Sequence, residues 1–180
     1  DIKSVLDTRD FGLSQVFAET LQHKLTLGVN RVDRKNTTTL SGRRFSFIPG
    51  EPDGVTRVSA WRFWQEYAYR SESQVLALRS TFTSARNNAQ EIVGLPAGTP
   101  QPDRHYTIWL GQAQYARRVL ENGAQFILIG NLQQTRDRLL PLDRMSIGGV
   151  YTVRGYRENQ MIRDIGAIVN VEFDYPLVRN

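Results

Sequence analysis

The sequence predicts an all-β chain, an antiparallel transmembrane β-barrel to which these 180 residues contribute about seven strands. Three observations predict it. Apolar residues alternate with period two in windows of about ten residues. The windows are joined in turn by short connections and long polar loops. The face opposite the apolar one carries Gln, Asn, Arg and Glu in mid-strand. A soluble antiparallel barrel or sandwich would show the same alternation, with its apolar face as core. The recurrent mid-strand polar residues favour a water-filled lumen instead.

The elements follow in chain order. A first strand lies before residue 18, where Phe11, Leu13 and Phe17 share a parity. In residues 21–32, Leu21, His23, Leu25, Leu27 and Val29 alternate with Gln22, Lys24, Thr26, Gly28 and Asn30. Residues 55–70 set Trp61, Phe63, Tyr67 and Tyr69 against Arg62, Glu66 and Arg70, with Trp64 out of pattern. Residues 74–84 set Leu76, Leu78 and Phe82 against Gln74, Arg79 and Thr81, which requires a shift of register within the strand. Residues 105–119 place Trp109, Gly111, Ala113 and Tyr115 opposite Gln112, Gln114 and Arg118. Residues 124–135 set Phe126, Leu128 and Leu132 against Gln125, Asn131 and Gln133. In residues 165–175, Ala167, Val169, Val171, Phe173 and Tyr175 oppose Asn170, Glu172 and Asp174. Short turns fall near residues 19–20, 71–74 and 121–123, and long loops over 35–54, 87–104 and 139–164. Turns at one rim and long loops at the other, with aromatics near strand ends, are features of outer-membrane barrels.

Composition narrows the function classes. With 40% hydrophobic and 23% charged residues the chain is too apolar to be disordered. It has no cysteine, which removes disulfides, thiolate metal sites and cysteine nucleophiles. Its longest apolar run, Phe126-Ile127-Leu128-Ile129, is far short of the roughly 20 residues of a membrane helix. The net charge is +5, but the arginines are spread from Arg9 to Arg179. A nucleic-acid face would cluster them, so an internal polar network is expected and no nucleic-acid partner. His23 and His105 have no acid at ligand spacing, so no metal site is expected. The glycines around Gly148 and Gly149 fit no nucleotide motif, and there is no nucleophile elbow. Glu172 and Asp174 share a strand face as a glycosidase pair might require, yet a lumenal polar face explains them more simply. Neither an enzyme nor a cofactor is expected. The chain starts at Asp1 without a leader, as a processed product or a fragment would. Seven strands alone would leave two open edges, which lipid does not tolerate. The expectation is therefore a contiguous piece of a larger barrel.

The last long loop, residues 139–164, is too rich in Met, Ile, Val and Tyr to be simply disordered, and loops of this length in a compact fold are usually functional. Its sequence runs Leu140-Pro141-Leu142-Asp143-Arg144-Met145-Ser146-Ile147-Gly148-Gly149, then Val153-Arg154-Gly155-Tyr156. This stretch resembles the "LP…FSLGG…VRGY" region of two-partner secretion transporters, the TpsB or hemolysin activation/secretion proteins of the BamA-like superfamily. Residues 163–167 and 172–177 resemble that family's next strand, and weaker likenesses lie at residues 44–50 and 109–115. The resemblance implies a sixteen-stranded bacterial outer-membrane barrel, with these strands as its sixth to twelfth. It also implies that the loop folds into the lumen, where Val153, Arg154, Gly155 and Tyr156 act as a lock supported by Gly148, Gly149 and Asp164. The acid partner of Arg154 would lie on the following strand, outside this chain. Lys24, Arg62, Glu66, Arg79, Gln112, Gln114, Arg118, Asn131, Asn170, Glu172 and Asp174 are expected to line the pore. The implied partners are a secreted exoprotein, outer-membrane lipid, the remainder of the barrel and periplasmic POTRA domains. A barrel assembly factor of the same superfamily is the first rival reading. A soluble barrel binding a ligand or glycan is the second.

Overall fold

A computed structural model describes residues 1–46, 52–90, 101–120, 123–149, 157 and 159–176. It contains the strands β1 (Ile2–Glu19), β2 (His23–Leu40), β3 (Arg43–Arg44), β4 (Val55–Arg70) and β5 (Gln74–Asn87). These are followed by β6 (His105–Arg118), β7 (Gln125–Gln134), β8 (Met145–Ile147), β9 (Met161–Arg163) and β10 (Gly166–Asp174). One antiparallel sheet runs β1-β2-β4-β5-β6-β7-β10, with β3 folded back on the end of β2. β8 and β9 form a separate two-stranded ribbon inside the last long loop. Among the described residues the sheet is open at β1 and β10, and no helix is long and apolar enough to cross a membrane.

Three expectations change. The first strand is paired with β2 along its whole length from Ile2, broken only by a bulge at Phe17. Much of the expected loop 35–54 is strand, because β2 continues to Leu40 through Lys35-Asn36-Thr37-Thr38-Thr39. These residues pair with β1 on one side, and β4 joins them on the other as far as Thr37. Third, β5 has no register shift. Its ladders to β4 and β6 are unbroken from Val75 to Arg86, so Gln74 lies on the same face as Leu76.

Unbroken registers make the two faces explicit. On one face, successive strands place Val32, Ala60, Ala85 and Tyr106 side by side. These residues, with Val58 and Ile108, form a buried cluster covered by Leu139 and Leu140 from the start of the last loop. This is the loop-bearing face. Trp64 belongs to it, a large aromatic among polar residues and so out of the apolar/polar pattern, although the ladder through it is unbroken. Its indole lies across Gly28, where an added Cβ would sit 2.2 Å from the ring, and its Nε1–H donates to Asn30 Oδ1 at 2.8 Å.

The opposite face is apolar and uncovered. Phe63 is 50% exposed, Val169 64%, Val171 61% and Phe173 58%. A soluble fold would bury such a surface. At the short-turn rim His23 Nδ1 lies 2.7 Å from the Tyr67 hydroxyl and its ring centroid lies 4.9 Å from that of Tyr69, the two rings tilted by 40°. The Tyr115 hydroxyl donates to Gln74 Oε1 at 2.8 Å. Toward the other rim Arg31 lies over Trp61 at 5.4 Å. From Trp61 to Tyr69 the strand covers about 27 Å, or about 21 Å of membrane normal at a tilt of about 40°.

Within the apolar face, Trp109 Nε1–H donates to the Ser80 hydroxyl at 3.0 Å. Ser80→Ala leaves that N–H with no partner where water is scarce, and an unpaired donor of this kind costs about 1–3 kcal/mol. The expected outcome is a lower urea midpoint of the detergent-folded protein, with Trp109→Phe in the Ser80→Ala background recovering part of the loss. An unchanged midpoint would mean that Trp109 is solvated.

Candidate functional site

The candidate site is the polar wall of the loop-bearing face together with the stems of the last long loop. Register places Lys24, Arg62, Glu66, Arg79, Gln112, Gln114, Arg118, Asn131, Asn170, Glu172 and Asp174 on this one face. Several are bonded to one another across strands. Asn30 Nδ2 donates to Asp10 Oδ1 at 2.7 Å and, through its Oδ1, accepts from Trp64. The Arg79 guanidinium stacks 4.3 Å over the Trp64 ring while its Nη1 donates to Glu66 Oε2 at 3.1 Å. Gln112 Nε2 donates to Asn131 Oδ1 at 3.1 Å. Antiparallel pairing brings these side chains close enough to bond, and each contact keeps a polar group fixed on the wall. The Arg79–Glu66 pair is about 40% exposed on both sides, so it orders the wall more than it stabilises the fold.

Above this wall the two stems of the loop are fastened. The ascending stem turns at Pro141, fixing Leu140 extended before it, and buries Leu139 and Leu140 on the apolar row of the face. Asp143 follows, with its carboxylate paired to Arg34 of β2 and accepting from the Tyr106 hydroxyl of β6 at 2.6 Å. Both members of the Arg34–Asp143 pair are largely buried, with side chains 16% and 8% exposed. The descending stem ends at Asp164, whose Oδ1 accepts from the Leu139 backbone N–H at 3.2 Å and forms an ion pair with Arg144 at 2.9 Å, while the Arg144 Nε–H donates to the Leu139 carbonyl at 3.1 Å. Gln133 of β7 joins the stems. Its buried side-chain amide donates to the backbone carbonyls of both Asp143, at 3.1 Å, and Asp164, at 3.0 Å. The β8–β9 ribbon continues the closure. Beyond it Gly148 has a φ of +119°, and a Cβ there would lie 2.3 Å from the Arg157 carbonyl; Gly149 is also left-handed, at +97°. Only glycine takes such turns without strain.

Of the residues expected to support the loop, Asp164, Gly148 and Gly149 therefore lie at its described base. Val153, Arg154, Gly155 and Tyr156 lie outside the described residues. Four residues of the clasp were not singled out by sequence: Arg34, Tyr106, Gln133 and Asp143. Asp143 was visible as the acid after Leu140-Pro141-Leu142, but its partner is 109 residues away and has no local signal. Among the described residues there is no group of three or more His, Asp or Glu side chains arranged to hold a metal.

The comparisons with known proteins agree with this geometry. Residues 6–180 match the family model described as haemolysin secretion/activation protein ShlB/FhaC/HecB. The fold is similar to that of CdiB from Escherichia coli, with a TM-score of 0.79 and 19% identity, over 99% of this chain and 32% of that one. It is also similar to CdiB from Acinetobacter baumannii, with a TM-score of 0.75 and 18% identity, over 98% of this chain and 30% of that one. The chain thus spans about a third of the length of those structures. No curated protein matches it significantly.

Proposed function

The chain belongs to the haemolysin secretion/activation family ShlB/FhaC/HecB, a family of outer-membrane β-barrel transporters rather than enzymes, and on that premise we propose what it does. It forms part of the wall of a pore through which a secreted exoprotein crosses the bacterial outer membrane by two-partner secretion. The observation that carries this reading is the pairing of faces. One side of the sheet is exposed and apolar, as lipid requires, and the other is a bonded polar surface with a loop fastened over it. A soluble ligand-binding barrel has no use for the exposed Phe63, Val169 and Phe173. An assembly factor would act through parts of the barrel or periplasmic repeats beyond these strands.

In this reading the loop-bearing face is the lumen, and the pore-lining residues keep it hydrated without a cofactor. Loop 139–164 enters the lumen from its clasped base, and Arg154 holds its tip against a carboxylate elsewhere in the barrel. POTRA domains in the same polypeptide would receive the exoprotein, and outer-membrane lipid would cover the apolar face. A confined guanidinium–carboxylate pair uses the planar fork that lysine lacks. Arg154→Ala and Arg154→Lys, made in the full-length transporter, are each expected to reduce exoprotein secretion about tenfold, with the amount of folded barrel in outer membranes unchanged. Normal secretion by Arg154→Ala would remove the lock. Failure of the unsubstituted transporter to secrete any exoprotein would remove the transport reading itself.

A further inference from the structure

Between the clasp and the Trp64–Arg79 layer, β4 holds an arginine, Arg62, that the described side chains leave without an ion pair. Arg34 is paired with Asp143, Arg79 with Glu66 and Arg144 with Asp164. Asp10 is engaged by the Asn30 amide. Arg62, aligned with Asn30 on one side and Thr83 on the other, makes no ion pair among the described residues. It is half-buried and lines a cavity of about 450 Å³ between the wall and the Leu142–Arg144 stem. Thr81, Thr83 and Trp64 line the same cavity, as do the apolar Leu110 and Leu142 and the carboxylate-bearing Asp10.

A planar guanidinium in a partly enclosed site, flanked by hydroxyl donors, is suited to a carboxylate. The apolar lining residues Leu110 and Leu142 are suited to the side chain next along on the same side of an extended peptide, since alternate residues of a strand point the same way. We infer that this cavity is a subsite for an acidic side chain of an extended polypeptide segment, with the carboxylate on Arg62 and a neighbouring apolar side chain toward Leu110 and Leu142. The inference rests on the transport reading and gives it a substrate chemistry: segments in transit that carry Asp or Glu are held here in preference to their amide counterparts. The contact must be weak and reversible, and one charge-assisted pair open to lumenal water meets that requirement.

The test uses the full-length transporter in detergent and two fluorescein-labelled peptides of equal length, one alternating Glu with Leu and the other Gln with Leu. Anisotropy titrations at low salt are expected to give about fivefold tighter binding of the Glu peptide, the upper end for one ion pair open to water. Arg62→Gln should remove that preference. So should Thr81→Glu, which supplies Arg62 with a carboxylate of its own, while Arg62→Lys retains part of it. Equal binding of the two peptides by the unsubstituted protein would overturn the subsite, as would a preference that survives both Arg62→Gln and Thr81→Glu. Secretion of the exoprotein, measured separately, distinguishes the two failures. If secretion proceeds and the preference is absent, only the subsite falls; if secretion is absent, the transport reading falls whatever the peptides do.

Discussion

Asp143→Ala is expected to destabilise the folded barrel by about 3–5 kcal/mol, because it leaves the largely buried Arg34 guanidinium without its carboxylate. Arg34 is already incompletely satisfied: its Nε is buried with no hydrogen-bond partner among the described residues. The pair is therefore a poor source of net stability but costly to break from one side, and its role is to hold the loop stem in place. Asp143→Ala also removes the acceptor of the Tyr106 hydroxyl, adding a second buried polar group without a partner. Replacing both charges by apolar residues, as in Arg34→Met with Asp143→Leu, removes the desolvation penalty and is expected to recover much of the stability. It does not recover the placement of the stem. Urea denaturation of the full-length transporter, followed by loss of the heat-resistant band on gels, reads the first effect. Protease cleavage within residues 139–164 reads the second. The double variant should be nearly as stable as the unsubstituted protein yet more readily cleaved. A loss below about 1 kcal/mol for Asp143→Ala would mean that the clasp is solvated and holds nothing.

The strands were legible wherever one face is apolar and the other polar, because that contrast writes the period of two into the residues. It fails where the contrast fails. β2 runs on to Leu40 through Asn36 and three threonines that have no apolar partner face, yet its ladder with β1 is continuous. Threonine favours extended backbone, but without alternation this stretch reads as a loop. The expected shift in β5 had a related origin. Gln74 is a polar residue on the apolar face, tolerated at the short-turn rim because the Tyr115 hydroxyl donates to it. Trp64 is the converse, a large aromatic on the polar face, placed there by Gly28 and by its bond to Asn30. The clasp was the least legible part. Arg34, Tyr106 and Gln133 are ordinary strand residues until the loop folds back onto them, and only the register of three separate strands brings them to Asp143 and Asp164.

Three consecutive residues of β10 are expected to respond to the same substitution with opposite outcomes. Val169 and Val171 project from the exposed apolar face, opposite Gly130 and Leu128 of β7. Asn170, between them, lies on the loop-bearing face opposite Ile129. If the apolar face meets lipid, Val169→Arg and Val171→Arg each move a guanidinium into hydrocarbon, at a cost of about 2–4 kcal/mol near the bilayer midplane and less toward either surface. Asn170→Arg stays on the loop-bearing face beside Glu172, and a surface change of this kind usually costs within about 0.5 kcal/mol. Strand propensity does not produce this pattern, since all three positions have the same extended backbone and receive the same residue. Depth does not produce it either: a gradient along the membrane normal would place the response at 170 between those at 169 and 171. Only alternation of lipid and water on successive residues makes the middle position the tolerant one. The measurement is the yield of heat-resistant barrel in outer membranes for the three full-length variants, with urea midpoints for those that insert. Equal losses at all three positions would remove β10 from the lipid boundary, and a greater loss at Asn170 would reverse the assignment of the two faces.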